Sequence, residues 1–396
     1  MISSVIVNKD KLENAVDNAA CITNRNIIKF QDHMPIYTSS NGTYPYQKNT
    51  ETADVNYNWA RGFWAGIVWL LHEVSPKDYI RIYGERLTKN INSTLLKRGL
   101  MHSNLGFLVI PACIPDLRVT KSTIAKETII MAANSLITKY DANNRFICYY
   151  DHELEGDTLC CITSNLINSQ LLNYAYKLSG NVKYREIAKN DFDAVLKNNI
   201  TSEGKTYFNS YINRKNGEKL DGPTALINRL GDNALTRSYT ISDGTSTRAY
   251  AWALYGLTVN YGLTKDKVYR DTFSRVFDFF ETNALRDKIY FSNFSKDKKR
   301  YSVDSTSSSI IAAALSDFIK HDENKEEKYI SALKWLANSL IDHYSISADL
   351  CLECLVSSAY LSEHKGTTSN LIGDYFYFEM LMNLYKNRES IWYTAK

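Results

Sequence analysis

The amino-acid sequence predicts an all-α protein built from repeated helical hairpins. Three observations lead to this fold class. Apolar residues recur with helical spacing along nearly the whole chain, the 396 residues include only six prolines and 17 glycines, and one helix–turn–helix pattern occurs more than once. A β-sandwich with many turns would need more turn-forming residues, so these counts disfavour it.

The apolar helix faces come in pairs that short polar segments separate. One face runs over 167–178 and the next over 184–195, with a turn at 179–181 between them. Segment 174–190 (YAYKLSGNVKYREIAKN) is echoed by segment 259–275 (VNYGLTKDKVYRDTFSR), and each opens its second helix with Tyr-Arg. Repeats of this kind predict stacked helical hairpins, and they fit a closed ring or an open solenoid.

The composition shows no break, so we predict a single domain over residues 1–396, in which about 20 residues at the start form a leading helix. Irregular segments rich in Asn, Asp, Gly, Ser and Thr interrupt the helices. Such connections can gather at one mouth of a ring and line a pocket. They are 37–58, 140–158, 199–247 and 286–306. In the third segment, TYFNSYI followed by Asn216-Gly217 predicts a β-hairpin.

Charge and motif content exclude several classes of function. A net charge of +4 without an extended basic block argues against nucleic-acid binding. No apolar stretch reaches the roughly 18 residues that a membrane span needs. No phosphate-binding loop, nucleotide-binding fingerprint, metal-binding helix motif or serine-hydrolase elbow occurs. Seven scattered cysteines, an odd number, fit a reducing compartment such as the cytoplasm.

Six motifs follow one another between residues 58 and 381. They are NWARGFWAGIVWLLHE (58–73), SNLGFL (103–108), SNLINSQLLNYA (164–175), SDGTSTRAYAWALYGL (242–257), DSTSSSIIAAAL (304–315) and GDYFYFEML (373–381). In this ordered set the chain resembles the unsaturated glucuronyl hydrolases of glycoside hydrolase family 88. The resemblance implies an (α/α)6 toroid of six helical hairpins with a pocket at one mouth. It also implies a cytoplasmic enzyme without metal or organic cofactor that takes disaccharides made by polysaccharide lyases.

The resemblance further implies a reaction. Family members hydrate the C4–C5 double bond of a terminal unsaturated uronic acid, with an aspartate that protonates C4 and activates water for C5. The hemiketal then collapses and releases the neighbouring sugar, which differs from the two-carboxylate displacement of ordinary glycosidases. Such an acid has to be protonated near neutral pH, so its pKa must be raised by burial.

The chain departs from the family at several pocket positions. The family's acid/base aspartate matches Ser164, whose hydroxyl has too high a pKa to protonate carbon without an activating base. Its second aspartate matches Asn104, which keeps the shape and some hydrogen bonding but not the charge. A His-Gln pair of the family matches Ala225 and Leu226, and a tryptophan matches Ser246.

Six other positions that the resemblance assigns to the pocket carry suitable residues, namely Trp64, His102, Asp243, Arg248, Trp252 and Asp304. Arg248 and Trp252 lie four residues apart on one helix face, where the guanidinium can bind a uronate carboxylate while the indole stacks on the sugar. An equally weighted alternative pairs Arg248 with Asp243 or Asp304 to hold the inner helices together. The local pattern favours a core position for Trp64, a helix N-cap for Asp304 and a hydrogen-bonded structural role for His102.

The densest cluster of polar and aromatic residues is CYYDHELEGD (148–157). If the chemistry has moved, this loop supplies the catalytic candidates Asp157, His152 and Tyr150. A Tyr–His pair beside a carboxylate also suits proton abstraction next to a uronate carboxylate, as in lyases and epimerases. An exposed acidic loop is the simpler interpretation.

Three functions are therefore open at the level of sequence. The first is a carbohydrate-active enzyme of this toroid class that acts on uronate-containing oligosaccharides with an altered active site. The second is a catalytically inactive relative that binds sugar or serves as a scaffold. The third is a lyase or epimerase that uses tyrosine and histidine chemistry. The expected partner is an anionic oligosaccharide or polysaccharide fragment, with neither nucleic acid nor membrane.

Overall fold

The computed structural model describes residues 3–48, 59–98, 103–149, 158–220, 243–295, 302–358, 368–386, 388 and 390–393. Within these ranges twelve helices have ten or more residues, and they make up most of the structure. They are α1 (Lys9–Phe30), α2 (Arg61–Val74), α3 (Asp78–Arg98), α4 (Leu105–Thr120), α5 (Thr123–Ile137), α6 (Gln170–Ser179), α7 (Val182–Asn199), α8 (Thr247–Thr264), α9 (Lys267–Asn283), α10 (Ser305–His321), α11 (Glu327–Ser339) and α12 (Leu371–Lys386). A one-turn helix, Asn165–Asn168, precedes α6.

The twelve helices form two concentric layers. The even-numbered helices contact one another in a cycle in which α12 returns to α2, and the turn Asn165–Asn168 joins α6 to its neighbours. These inner helices are buried on all sides, as α10 is from Ser305 to Ile319, whereas an outer helix such as α9 buries one side. A helix that is buried all round belongs to the interior of a fold. The all-α prediction is confirmed, and the ring is closed.

The seam of this ring lies between the first helix and the last. Helix α1 packs on α12, and its polar side chains bond the backbone of segment 346–353. The Asn18 amide donates to the carbonyl of Ile346, and the Asn26 amide donates to the carbonyl of Glu353, which lies 327 positions away in the sequence. Ring closure therefore depends on some of the most distant contacts in the chain.

The repeated hairpin turn predicted from the sequence is confirmed. Helix α6 ends at Gly180, with φ +72°, and the side chain of Asn181 then caps α7. Helix α8 ends at Lys265, with φ +58°, and the side chain of Asp266 caps α9. In both hairpins a left-handed residue ends the inner helix and an Asx cap supplies the first acceptor of the outer helix.

In the described connections between helices, the strands form three small antiparallel sheets. They pair β1 (His33–Pro35) with β2 (Tyr46–Lys48), β3 (Tyr140–Asp141) with β4 (Phe146–Ile147), and β5 (Thr158–Ile162) with β6 (Asn209–Asn213), which pairs in turn with β7 (Lys219–Leu220). The predicted hairpin is β6–β7, in which Gly217 has φ +72°. Pairing of β5 with β6 places the segment just before Ser164 against this hairpin.

The first turn of α4 lies so close to α2 on one side and to the turn Asn165–Asn168 on the other that two positions admit only glycine. A Cβ atom on Gly62 would lie 2.2 Å from the carbonyl oxygen of Phe107, and one on Gly106 would lie 2.0 Å from that of Asn168. Backbone atoms in packed helices cannot move away from an added methyl group as easily as the end of a flexible side chain can. The absence of a side chain therefore sets the separation of the inner helices at this end of the ring.

We expect Gly106→Ala to lower the free energy of unfolding by about 3 kcal/mol, because the added methyl group overlaps a backbone oxygen in a packed interior. Gly180→Ala is the matched control, because no atom lies within 4 Å of its Cβ position and only backbone strain of about 1 kcal/mol is added. Urea unfolding of both variants measures the difference. Equal losses would show that the close approach at Gly106 relaxes without cost.

Among the helices that the structure describes, none combines the length and the apolar character required of a bilayer span.

Candidate active site

The inner helices all begin at the same end of the toroid, because each of the first five is followed by an outer helix that runs back, and α12 follows the outer helix α11. Contacts between their starts define this end, which we call the mouth. The Asn370 amide, just before α12, donates to the Thr306 hydroxyl in the first turn of α10 at 2.9 Å. The guanidinium of Arg248, at the start of α8, reaches Asp304 at the start of α10. Helix N-termini carry partial positive charge, so the mouth favours an anion.

Arg248 is fixed at the mouth by two side chains of the neighbouring helix. Its Nε donates to the hydroxyl of Ser307 at 2.7 Å, and its Nη2 lies 3.1 and 3.0 Å from the two carboxylate oxygens of Asp304. Asp304 is 1% exposed, while the arginine side chain keeps 18% of its surface exposed. Of the two carboxylates predicted as alternative partners, the structure therefore selects Asp304.

Burial acts to lower the pKa of Arg248, but the negative charge of Asp304 and the Tyr37 hydroxyl outweigh it, so the pKa lies above its ordinary value. A guanidinium has five N–H donors, and the bonds to Ser307, Asp304 and Tyr37 do not use all of them. The cation is therefore permanent and held in one orientation, as recognition of a carboxylate requires.

The prediction that Asp304 caps a helix is confirmed. Its Oδ1 accepts from the backbone N–H groups of Thr306 and Ser307 at 3.1 and 3.2 Å. Its Oδ2 also accepts from the Ser307 hydroxyl. With these bonds and Arg248, the carboxylate is saturated, so it positions the arginine and the helix.

Asp243 lies apart from this pair and shapes the turn before α8. Its Oδ1 accepts from the backbone N–H of Thr245 at 3.0 Å and from the Thr245 hydroxyl. The next residue, Gly244, has φ +77°, and its carbonyl accepts from the Tyr250 hydroxyl at 2.7 Å. The predicted pairing of Asp243 with Arg248 is not among these contacts.

Aromatic rings line the mouth beside Arg248. Trp252 is buried against Phe107, with ring centroids 5.2 Å apart. Trp59 is half-buried, and its ring lies 5.7 Å from Phe107 and 5.9 Å from Tyr37. Sequence reasoning missed Trp59 and Tyr37. Trp59 carried a usable signal, since it precedes Phe63 by one helical turn in the tryptophan-rich motif, whereas Tyr37 lies in a segment without a motif.

Trp64 lies in the core between the two helix layers, which agrees with the core position that its pattern favours. It is 2% exposed, and its ring packs edge-on against Phe30 of α1 and Tyr83 of α3 at 5.1 and 6.4 Å. These contacts place it on the side of α2 that faces the outer helices. Of the tryptophans in this motif, Trp59 is the one beside the aromatic rings of the mouth.

Asn104 and Ser164 both lie at helix starts near the mouth, and both are buried. The Asn104 amide is 3.4 Å from the hydroxyl of Tyr149, and neither Asn104 nor Ser164 caps its helix through the side chain. Asn168 ties the two segments together, since it accepts from the Gly106 N–H at 2.8 Å and donates to the Ser103 carbonyl at 2.6 Å. The side-chain amide of Asn168 therefore links the segments that contain Asn104 and Ser164, the two positions that match the family's aspartates.

Several predicted site residues lie outside the described residues. They are His102, Tyr150, His152 and Asp157, together with the departures Ala225 and Leu226.

Two buried carboxyl groups that sequence reasoning did not select lie near the inner helices. Asp191 of α7 accepts from the Ile147 N–H and the Ser169 hydroxyl, and burial raises its pKa to about 6. Asp374 of α12 accepts from the Tyr44 hydroxyl at 2.8 Å and the Val356 N–H at 3.1 Å, and burial raises its pKa to about 7. Both are fully enclosed, which gives them a structural role in these contacts.

Asp374 is expected to make stability fall as the pH rises. Its pKa is about 7 in the folded chain but about 4 when unfolded, so the folded state holds the extra proton between these values. This group then lowers the free energy of unfolding by up to about 1.4 kcal/mol per pH unit across that window. Urea unfolding of Asp374→Asn should remove this slope, and parallel pH curves for wild type and variant would contradict the assignment.

In the described part of the chain, no group of three or more His, Cys, Asp or Glu side chains is arranged to hold a metal ion.

Comparison with known proteins identifies relatives of one kind. No family model matches the chain. The unsaturated chondroitin disaccharide hydrolase of Streptococcus pneumoniae is 26% identical over 98% of this chain and 95% of its own length. The unsaturated glucuronyl hydrolase of Bacillus sp. strain GL1 is 25% identical over 96% of this chain and 98% of its own length.

Solved structures show the same relationship. The crystal structure of unsaturated glucuronyl hydrolase from Streptococcus agalactiae superposes with a TM-score of 0.84 at 26% identity, covering 98% of this chain and 95% of that one. A variant of the same enzyme complexed with dGlcA-GalNAc6S gives a TM-score of 0.78 at 25% identity, covering 98% and 94%. The comparisons thus confirm the resemblance predicted from the sequence: over nearly its full length this chain is similar to the unsaturated glucuronyl hydrolases of glycoside hydrolase family 88 and shares their helical toroid fold.

Proposed function

We propose that this chain is a hydrolase of unsaturated-uronate oligosaccharides, whose mouth binds the terminal uronate. The observation that carries the proposal is Arg248, a permanent cation held at the starts of the inner helices by Asp304 and Ser307. Support also comes from the relatives, one of which is named for hydrolysis of unsaturated chondroitin disaccharides. Another has been crystallised with a dGlcA-containing disaccharide.

Binding of the sugar would use two kinds of contact. The exposed side of Arg248 donates to the uronate carboxylate, and the aligned inner-helix N-termini add positive potential. Trp59 is half-buried beside Phe107 and offers its indole to the apolar face of the ring. The proposal needs neither metal nor organic cofactor, because protonation and water attack are proton-transfer steps.

The proton donor is the part of the reaction for which the chain differs from the family. Asn104 has no proton of suitable acidity, and the Ser164 hydroxyl is too weak an acid. The described residues on either side of 150–157 lie near the mouth, since Tyr149 is 3.4 Å from the Asn104 amide and β5 leads to Ser164. Asp157, His152 and Tyr150 are therefore our candidates for the relocated acid, with Asp157 first.

A second function is favoured by the same two positions. If no side chain replaces the acid, the protein binds unsaturated uronates without hydrating them. Asn104 and Ser164 then preserve the shape of the site, while Arg248 and Trp59 keep the affinity. The proposal places either protein in the cytoplasm, because all seven cysteines are free thiols and fit a reducing compartment.

One experiment separates these functions. Purified protein is mixed with unsaturated disaccharides from chondroitin, hyaluronan and heparin, and the ultraviolet absorbance of the C4–C5 double bond is followed while calorimetry measures binding. Loss of absorbance supports the hydrolase, and Asp157→Asn should then abolish it while the surface control Asp193→Asn does not. Binding without loss of absorbance supports the second function. Failure to bind any of the three disaccharides would overturn both.

A further inference from the structure

The described residues 388 and 390–393, which follow α12, lie across the toroid at the end opposite the mouth. The Lys320 ammonium donates to the carbonyl of Arg388 at 2.9 Å, and the Tyr174 hydroxyl lies within bonding distance of the carbonyls of Ile391 and Tyr393. Arg388 itself binds both carboxylate oxygens of Glu73 at 2.9 Å. Inner helices α2, α6 and α10 therefore hold this segment by its backbone and by an ion pair.

From this position Trp392 enters the interior of the ring. Its indole is fully buried, and its Nε1 donates to the Tyr375 hydroxyl at 3.1 Å. Its ring centroid lies 6.2 Å from Phe63 and 5.9 Å from Phe107, which are in the first turns of α2 and α4. A residue anchored at the far end thus touches the two helix starts that face the mouth.

The contacts continue from Phe107 to the surface of the mouth. Phe107 packs against Trp252 at 5.2 Å and against Trp59 at 5.7 Å. Trp392, Phe107 and Trp59 therefore form one chain of touching rings from the far end to the half-buried surface. In a packed interior a change of volume at one ring displaces its neighbours, because few voids exist to absorb it.

We propose that Trp392 is a positioning residue. Its ring fixes the position of Phe107, and Phe107 in turn fixes the position of the Trp59 indole that receives the sugar. The part of the inference that concerns sugar binding rests on the proposed function. The coupling from Trp392 to the first turns of α2 and α4 does not.

The test compares Trp392→Phe with Trp69→Phe. Like Trp392, Trp69 has a buried indole. Trp69 lies in α2 and faces α3, where Gly84 lies against its ring. Both variants lose one indole from the interior, so both should lose stability. Only Trp392→Phe should speed hydrogen exchange of backbone amides in 59–66 and 103–110, and only it should weaken binding of the unsaturated chondroitin disaccharide, by about 2- to 30-fold.

The two readouts keep the outcomes distinct. Equal exchange and equal binding in the two variants would overturn the proposal, since Trp392 would then be an ordinary core residue. If the wild type binds no disaccharide, the proposed function fails, and exchange in 59–66 and 103–110 still decides whether Trp392 positions the mouth. Unchanged exchange there in Trp392→Phe would overturn the positioning role under either result.

Discussion

Replacing Arg248 with lysine is expected to weaken binding of unsaturated uronates by about 30-fold or more, which corresponds to a loss of at least about 2 kcal/mol. Lysine keeps the positive charge, but one ammonium cannot bond Ser307, both oxygens of Asp304 and a ligand carboxylate in the geometry that the planar guanidinium provides. Calorimetric titration with the unsaturated chondroitin disaccharide measures the loss.

The control is the same substitution at a surface arginine. Arg145 is exposed in the β3–β4 turn, so Arg145→Lys should bind the disaccharide as the wild type does. Thermal unfolding of Arg248→Lys should show a folded protein, because Asp304 keeps its backbone and Ser307 bonds. An unchanged dissociation constant in Arg248→Lys would show that the arginine only holds α8 to α10, the alternative that the sequence left open.

The second large effect is expected for stability. Arg388→Met should lower the free energy of unfolding at neutral pH by about 3–5 kcal/mol, because it leaves a buried carboxylate without its cation. Arg388 lies between Glu73 and Glu379, and Glu379 is fully buried among the hydroxyls of Tyr255 and Tyr375.

The loss should depend on pH in a defined direction. Burial raises the pKa of Glu379, and Arg388 acts to lower it, so removing the arginine raises this pKa further. The folded variant then takes up a proton on Glu379 as the pH falls, so the loss should be smaller at a mildly acidic pH than at neutral pH. Urea unfolding at both pH values measures it, with the surface variant Lys189→Met as a control that should change little. A loss that is independent of pH would contradict the buried pairing.

Local signals in the sequence were sufficient for the hairpins. The turns at Gly180 and Asp266 depend on residues whose conformational preferences act within a few positions, so their prediction was confirmed. The cap at Asp304 is local in the same way. The periodicity of apolar residues could not predict that the ring closes, because the contact of α12 with α2 joins elements that are far apart in the chain.

The site was harder to predict because its partners come from different helices. Asp243 and Asp304 both precede an inner helix, and no pattern in the sequence tells which one reaches Arg248. Trp59 and Trp64 share one motif, but Trp59 precedes α2 beside the mouth, whereas Trp64 lies within α2 against the outer helices. Assignments of single residues to the pocket therefore needed coordinates, whereas the family resemblance needed only the order of motifs.

The seam between α1 and segment 346–353 has a consequence for the order of events during synthesis. Asn26 finds its partner only when a residue 327 positions later has been made. At about 5–20 residues per second this interval lasts roughly 16 to 65 seconds. Closing a loop of that length also costs about 5 kcal/mol of chain entropy, and the contacts that form at the seam have to offset this cost. Until then the apolar side of α1 lacks its native cover from α12.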